Sequence, residues 1–352
     1  MERRGVSRMS HTKALRTKQP LDPASESWHK LPWRKLEQHV YRLQKRIFKA
    51  EHRGNTRAVH TLQKLLMKSR AARFLAVRRV TQDNQGKKTA GIDGVKSVHP
   101  RHRFEMAERI HPKHWKKKAQ PVRRVYIPKP GKAEMRPLGI PVMETRSQQA
   151  LVKLALEPEW EAKFEPNSYG FRPGRSCHDA IAAIFVIIAH KAKYVLDADL
   201  KGAFDNINHV ALLKKLNTYP AMRQAVRAWL KAGIIDKGVF EETTQGTPQG
   251  GVASPLLMNI ALHGMETALM KAYRTKADRP QLVRYADDLV VFHPTAAGVK
   301  KAKEVLEAWL ADMGLELKPS KTRMTHTLQE YQGTTGFDFL GYVRHASCTR
   351  GC

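Results

Sequence analysis

The sequence predicts an α+β fold, and three of its features carry that prediction. Two runs of strand composition, Leu282–Tyr285 and Leu289–Phe292, flank a short reversal, so Asp287 and Asp288 sit where one strand turns into the next. Upstream, Tyr194-Val195-Leu196-Asp197-Ala198-Asp199-Leu200 is an apolar run broken by two carboxylates two residues apart, a spacing that a strand places on one face. Around these strands apolar residues recur at helical spacing, as in Leu36, Val40, Leu43 and Ile47, or Val299, Ala302, Val305, Leu306 and Leu310.

Composition bounds the class of partner. The 352 residues allow one large domain or two to three modest ones. Lys and Arg number 63 against 32 Asp and Glu, a formal charge of +31 that is spread along the chain and points to a polyanion. No apolar run approaches the roughly 18 residues of a membrane-spanning helix, and no long basic amphipathic helix marks a membrane surface as the partner. Three cysteines, Cys177, Cys348 and Cys352, are too few for a disulfide framework and fit a reducing cytoplasm. The basic N-terminus lacks the apolar core of a secretory signal.

Residues 1–27 read as a basic leader without periodicity. The helical pattern that follows, through Ile47 and then Val59, Leu62, Leu65 and Leu66, is surrounded by charges of nearly one sign, which favours nucleic-acid contact. Thr89-Ala90-Gly91-Ile92-Asp93-Gly94 is a tight loop. His99, His102, His111 and His114 have neither cysteine partners nor ligand spacing and read as a solvated basic loop. Arg123–Lys132 and Met135–Pro141 read as two short strands joined by a Pro/Gly turn, with Arg124, Lys129 and Arg136 among their cations. A buried helix over Gln148–Leu156 comes next, then a helix over Ala180–Ala189 that Ser176 and Asp179 start and that is expected to lie in the core. Cys177, with no base nearby, is structural.

Past the acidic strand, His209–Leu216 and Met222–Ala232 read as two helices, and Val239–Thr244 as a strand. Gln245–Pro255 is a loop whose glycines let backbone approach a ligand closely. Ser254 is expected to cap a helix running to about Lys271, with Pro255 at its first position.

An Asp-Asp pair alone is compatible with a solvated turn. Beside a second acidic strand it takes on chemistry, because carboxylates at close range repel unless a cation lies between them. Mg²⁺ suits such a place, since it binds through one or two carboxylates and keeps positions open for substrate phosphates. Two-metal phosphoryl transfer needs carboxylates from separate strands holding ions about 4 Å apart. Asp199, Asp287 and Asp288 can supply that set.

Tyr285-Ala286-Asp287-Asp288, Asp199 placed five residues before Phe204, and Gln245-Gly246-Thr247-Pro248-Gln249-Gly250-Gly251 together resemble the reverse transcriptases, most of all those encoded by bacterial and organellar group II introns. The resemblance runs from about Leu31 to Arg344. It implies a right-hand polymerase whose fingers and palm, with an antiparallel palm sheet backed by helices, follow an N-terminal helical extension; because the resemblance breaks off just past the last palm block, no thumb is expected. The leader then ends at 27, the extension spans 28–100, the fingers 101–190 and the palm 191–344, within a catalytic domain of about 120–344; 345–352 is a tail.

The implied activity is RNA-directed DNA synthesis in intron mobility, from deoxynucleoside triphosphates onto a DNA or RNA primer, with group II intron RNA as template. The resemblance puts two Mg²⁺ ions on Asp199, Asp287 and Asp288, and places Asp197 and Asp205 outside the metal site. It matches Lys129 and Arg136 to the grip on the triphosphate, Gln249 and Gly250 to the walls around nucleotide and templating base, and Lys321 to assistance of the pyrophosphate leaving group. Phe204 falls where a ring would clash with a ribonucleotide's 2′-hydroxyl. Arg124, Arg172 and Arg175 are matched to nucleic-acid contacts. His345, Cys348 and Cys352 lack a fourth ligand and do not read as a zinc site. Two alternatives remain open at this stage: an RNA-binding splicing cofactor or remnant that does not polymerise, and a related enzyme of a defence or CRISPR system.

Overall fold

The computed structural model describes residues 27–128, 131 and 134–344. The leader up to residue 26, Lys129 and the tail lie outside the described residues.

Helical period governs the first part of the chain. Helices α1 (Trp33–His52), α2 (Thr56–Lys68) and α3 (Arg70–Arg78) bury one apolar stripe each, Val40, Leu43 and Ile47 in the first case. Asn55 caps α2 by accepting from the Ala58 amide at 3.0 Å. The third helix loosens into a π turn over Arg79–Asp83 before α4 (Pro100–Arg109). Trp28, fully buried, ties these pieces together: its indole donates to Gln82 at 2.8 Å and meets Trp33, Phe74 and Phe104 edge-on.

Strands β1 (Val122–Pro128) and β2 (Met135–Ile140) form the expected cation-bearing hairpin. The buried helix of the sequence reading is longer than expected, α5 (Met143–Lys163), and the N-terminal helices pack on it, with Gln63 reaching Glu159 at 2.6 Å. Helix α6 (Cys177–Ile188) begins with the full Ser176–Asp179 capping box. It does not lie wholly in the core, because Phe185 and Val186 are 59% and 73% exposed while Ala180, Ile181, Ile184 and Ile188 are buried.

Strand β3 (Tyr194–Asp199) is followed by a single helical turn, α7 (Ala203–Asn206), then α8 (His209–Leu216) and α9 (Pro220–Leu230). Two three-residue strands, β4 (Ile234–Asp236) and β5 (Val239–Glu241), replace the one expected over Val239–Thr244, and β4 joins β1 in parallel. The helix after the Gly-rich loop is two helices, α10 (Ser254–Leu262) and α11 (Met265–Ala272), broken where Gly264 takes a φ of 103°. Ser254 is not its cap: its hydroxyl instead accepts from Thr247 at 2.9 Å.

Strands β6 (Gln281–Tyr285) and β7 (Asp288–His293), helix α12 (Ala296–Ala311), β8 (Arg323–His326), β9 (Phe337–Phe339) and β10 (Tyr342–Arg344) complete the chain. The central sheet runs β6-β7-β3-β8 and is antiparallel throughout. Its alternation is strict. Leu196, Ala198, Leu289 and Val291 enter the large core with Val299, Ala302, Leu306 and Leu310 of α12. Val195, Val283, Val290 and Phe292 enter a second core beneath α6 and β9. With both faces covered, only the edges and ends of the sheet meet solvent, and the acidic residues lie at one end.

Candidate active site

The register of the central sheet assembles the carboxylates. Asp199 ends β3 and lies opposite Asp288 at the start of β7, while Tyr285 pairs with Asp288 across a reversal made of Ala286 and Asp287 alone. Three acidic side chains from two strands and one turn thus share one corner.

That turn is held against its own preferences. Ala286 has a φ of 59°, a left-handed conformation that costs about 1–2 kcal/mol for a residue with a Cβ. Gly170 backs it so closely that a Cβ there would lie 2.4 Å from the Ala286 amide nitrogen. The Gly170 carbonyl accepts from Asn259 at 2.7 Å, and Asn259 in turn accepts from Arg284 at 3.1 Å. Arg284, 1% exposed, also donates to the Ser168 hydroxyl at 2.6 Å and to the Ala286 carbonyl at 2.9 Å. All three acceptors are neutral, and burial pulls this guanidinium down to about 10 against the opposing charge of Glu165.

Burial is also the first cause of the perturbed acids. It raises Asp287, with Asp199 adding to the rise and the backbone bond of Asp287 opposing it, and it raises Asp288 to about 6 with help from Asp287 and Asp199. Lys321 donates to Asp199, which holds the ammonium above the usual lysine range. On the same sheet face, Asp197 accepts from Arg323 at 2.8 Å, and Arg323 reaches Asp338 at 3.7 Å. A cleft of about 310 Å³ beside the carboxylates is lined by Asp197, Asp199, Asp288, Lys321, Arg323 and Asp338.

Among the described residues no three His, Cys, Asp or Glu side chains close into a ready-made metal cage. The donor set nevertheless suits a hard cation that takes one or two carboxylates and completes its shell with water and phosphate: oxygen ligands only, half-buried, and mutually repelling.

Next to the carboxylates the Gly-rich loop is zipped onto the turn after β3. The Gly246 amide donates to Ile207 at 2.8 Å and the Thr247 amide to the Phe204 carbonyl at 2.6 Å. A Cβ on Gly246 would meet the Asp205 carbonyl at 2.5 Å, and one on Gly250 the Gly139 carbonyl at 2.6 Å, so both positions require glycine. Gln249 donates to Asp205 at 3.2 Å. Arg136, Phe204, Gln249 and Gly250 therefore line one cavity of about 660 Å³, which helix α3 and its π turn close from the other side with Arg78 and Arg79. Arg136 is close enough for its charge to act on Asp287, and Arg124 acts likewise on Asp205, whose carboxyl burial raises.

Two arginines differ from the sequence reading in their surroundings. Arg172 is not on the surface: it is 7% exposed, forks onto Glu161 at 2.8 to 3.1 Å and donates to the carbonyls of Glu165 and Ser168. Its donors are committed within the fold, so it is removed from the nucleic-acid set. Arg175 is half-buried, bonds the Pro166 carbonyl at 2.8 Å and lies over the Tyr169 ring. The residues that sequence reasoning missed are Gly170, Asn259 and Arg284, which position the acidic turn without touching its carboxylates.

Residues 127–343 match the family described as reverse transcriptase (RNA-dependent DNA polymerase), and 28–110 match the N-terminal domain of reverse transcriptase. The chain belongs to the reverse transcriptase family. It is 32% identical over 323 residues to protein YkfC of Escherichia coli K12, covering 80% of this chain and 82% of that one. It is 38% identical over 201 residues to the group II intron-encoded protein LtrA of Lactococcus lactis, covering 53% of this reverse transcriptase and 33% of LtrA. Maturase-like protein 1 of Euglena gracilis is 29% identical over 318 residues, 88% of this chain and 64% of that protein. The structure is similar in fold to the apo telomerase of Candida tropicalis truncated from its C-terminal domain, with a TM-score of 0.50 at 13% identity over 64% of this chain and 53% of that one. The architecture is thus that of a right-hand polymerase. No helix among the described residues is long and apolar enough to cross a membrane.

Two outcomes follow from this geometry. Arg284→Lys keeps the charge but cannot span three acceptors with one ammonium, so it is expected to destabilise the protein by about 2 kcal/mol in a urea melt and to slow primer extension. Asp288 is raised from 3.8 to about 6, so its favourable contribution is complete below about pH 4 and lost as the pH rises through about 6. Asp288→Asn should therefore stabilise the metal-free protein at pH 7.5 by up to about 3 kcal/mol, seen as a higher melting temperature, with no gain near pH 4; an equal shift at both values in scanning calorimetry would contradict the charge assignment.

Proposed function

We propose that this reverse transcriptase extends a primer on an RNA template by nucleotidyl transfer at Asp199, Asp287 and Asp288, and that an intron-type RNA is its template. The observation that carries the reading is the register that sets Asp199 opposite Asp288 with Asp287 in the adjoining turn. In this reading residues 101–190 act as fingers and 191–344 as palm.

Two Mg²⁺ ions, when bound, supply activation of the primer 3′-hydroxyl and support for the leaving oxygen. Asp199, Asp287 and Asp288 would hold them, and binding would relieve the mutual repulsion of the three carboxylates. Arg136, on β2, presents a planar fork to the triphosphate; Lys129, matched to the same role in the sequence, lies outside the described residues. Phe204 lies beneath the sugar, and Gln249, oriented by Asp205, bounds the base with Gly250. Lys321, which donates to Asp199, is a cation beside the carboxylates and would stabilise the charge of the departing pyrophosphate. Arg124 and Arg175 contribute to the nucleic-acid path.

The test is primer extension on an RNA template with Mg²⁺ and deoxynucleotides, wild type beside Asp287→Asn. The variant is expected to lose about 10³-fold or more in rate, and near-normal extension by it would sink the metal assignment. Tight RNA binding without any extension by wild type would instead establish a non-polymerising RNA-binding protein.

A further inference from the structure

Phe171 stands between two residues committed to the interior and yet faces solvent. Before it, Gly170 is pressed against the Ala286 turn; after it, Arg172 is locked onto Glu161. Phe171 itself is 49% exposed and has a φ of 60°. A left-handed backbone is a genuine outlier for a bulky side chain, kept only where neighbouring structure over-determines it, and such outliers gather at functional sites. Exposing an aromatic ring adds a second cost.

Among the described residues the ring has one aromatic partner. Its centroid lies 6.4 Å from that of Phe204, with the planes at 71°, an edge-to-face pair inside the attractive range. Phe204 is half-buried, and its backbone is fixed from the other side by the Thr247 amide. Backbone anchoring does not fix the side-chain torsions of Phe204; part of its side chain packs on the large core, and the Phe171 ring adds a contact to it.

We propose that Phe171 is a specificity-determining residue that braces the Phe204 ring, so that the ring cannot swing aside for the 2′-hydroxyl of an incoming ribonucleotide. The proposal rests on the reading of Phe204 as the residue beneath the sugar. Gly170 links this brace to the catalytic turn, since the residue that packs on Ala286 is the one that sets where Phe171 begins. Sugar selection and carboxylate placement therefore share one piece of backbone.

The experiment compares deoxynucleoside and matching ribonucleoside triphosphates by kcat/KM in primer extension, for wild type, Phe171→Ala, Phe171→Asn, Phe204→Ala and the double variant Phe171→Ala/Phe204→Ala. Asn tolerates the left-handed backbone, so Phe171→Asn removes the ring without retaining the strain. Both Phe171 variants are expected to lower discrimination against ribonucleotides about tenfold, the scale of coupling between residues in contact. In the double variant, losing Phe171 should add nothing to the loss caused by Phe204→Ala. A purely structural role would slow both nucleotide types equally and leave the ratio unmoved. Unchanged discrimination in both Phe171 variants, with Phe204→Ala admitting ribonucleotides, would overturn the brace and spare the gate. Unchanged discrimination in Phe204→Ala would overturn the gate itself.

Discussion

Three carboxylates gathered at the end of one sheet repel one another, and that repulsion is the constraint around which this molecule is built. Two such charges about 4 Å apart cost about 4 kcal/mol even at the effective dielectric of a protein surface. The fold answers with two kinds of rigidity. The β3–β7 ladder fixes Asp199 and Asp288 through backbone bonds that no side-chain repulsion can loosen cheaply. The Arg284–Asn259–Gly170 chain fixes the turn carrying Asp287 from behind. The charges are left to be neutralised by something that arrives, with Lys321 as the cation already at hand.

The glycines of the site serve the same end. At Gly170, Gly246 and Gly250 a Cβ would strike backbone atoms of another segment within 2.6 Å, so these are places where main chain is laid directly on main chain. Such contacts transmit position without the play of side-chain rotamers. They join the Ala286–Asp287 turn to the segment before α6, the Gly-rich loop to the turn bearing Phe204, and that loop to β2 of the cation-bearing hairpin. Elements far apart in sequence are thereby made one frame, which is what groups that must be held to a fraction of an ångström require.

What was legible in the sequence was whatever depends on period or local chemistry. The strands around the carboxylates, the stripe of α1, the Ser176–Asp179 box and the β1–β2 hairpin all belong to that class. What was not legible depends on long-range pairing. The parallel junction of β1 with β4 has no local signal, and the break of the predicted helix at Gly264 reflects a backbone state that tertiary context imposes. The apolar outer face of α6 was assigned to the core because apolarity says only that a residue can be buried, not that a surface exists to bury it.

Arginine misled most, and for a physical reason. In a chain with 63 basic residues each Arg looks like part of a nucleic-acid surface. Yet Arg73, Arg146, Arg172 and Arg284 are all at most 7% exposed, and all four donate to backbone carbonyls: Arg73 to Ala107, Arg146 to Pro141 and Thr89, Arg172 to Glu165 and Ser168, Arg284 to Ala286. A planar fork with five donors can satisfy several carbonyls where irregular segments meet, which no lysine can do. These loops, including the one at Thr89 and the turn at Ala286, carry no ladder of their own to absorb their polar groups. Buried arginine therefore does for several irregular parts of this fold what strand pairing does for the regular ones.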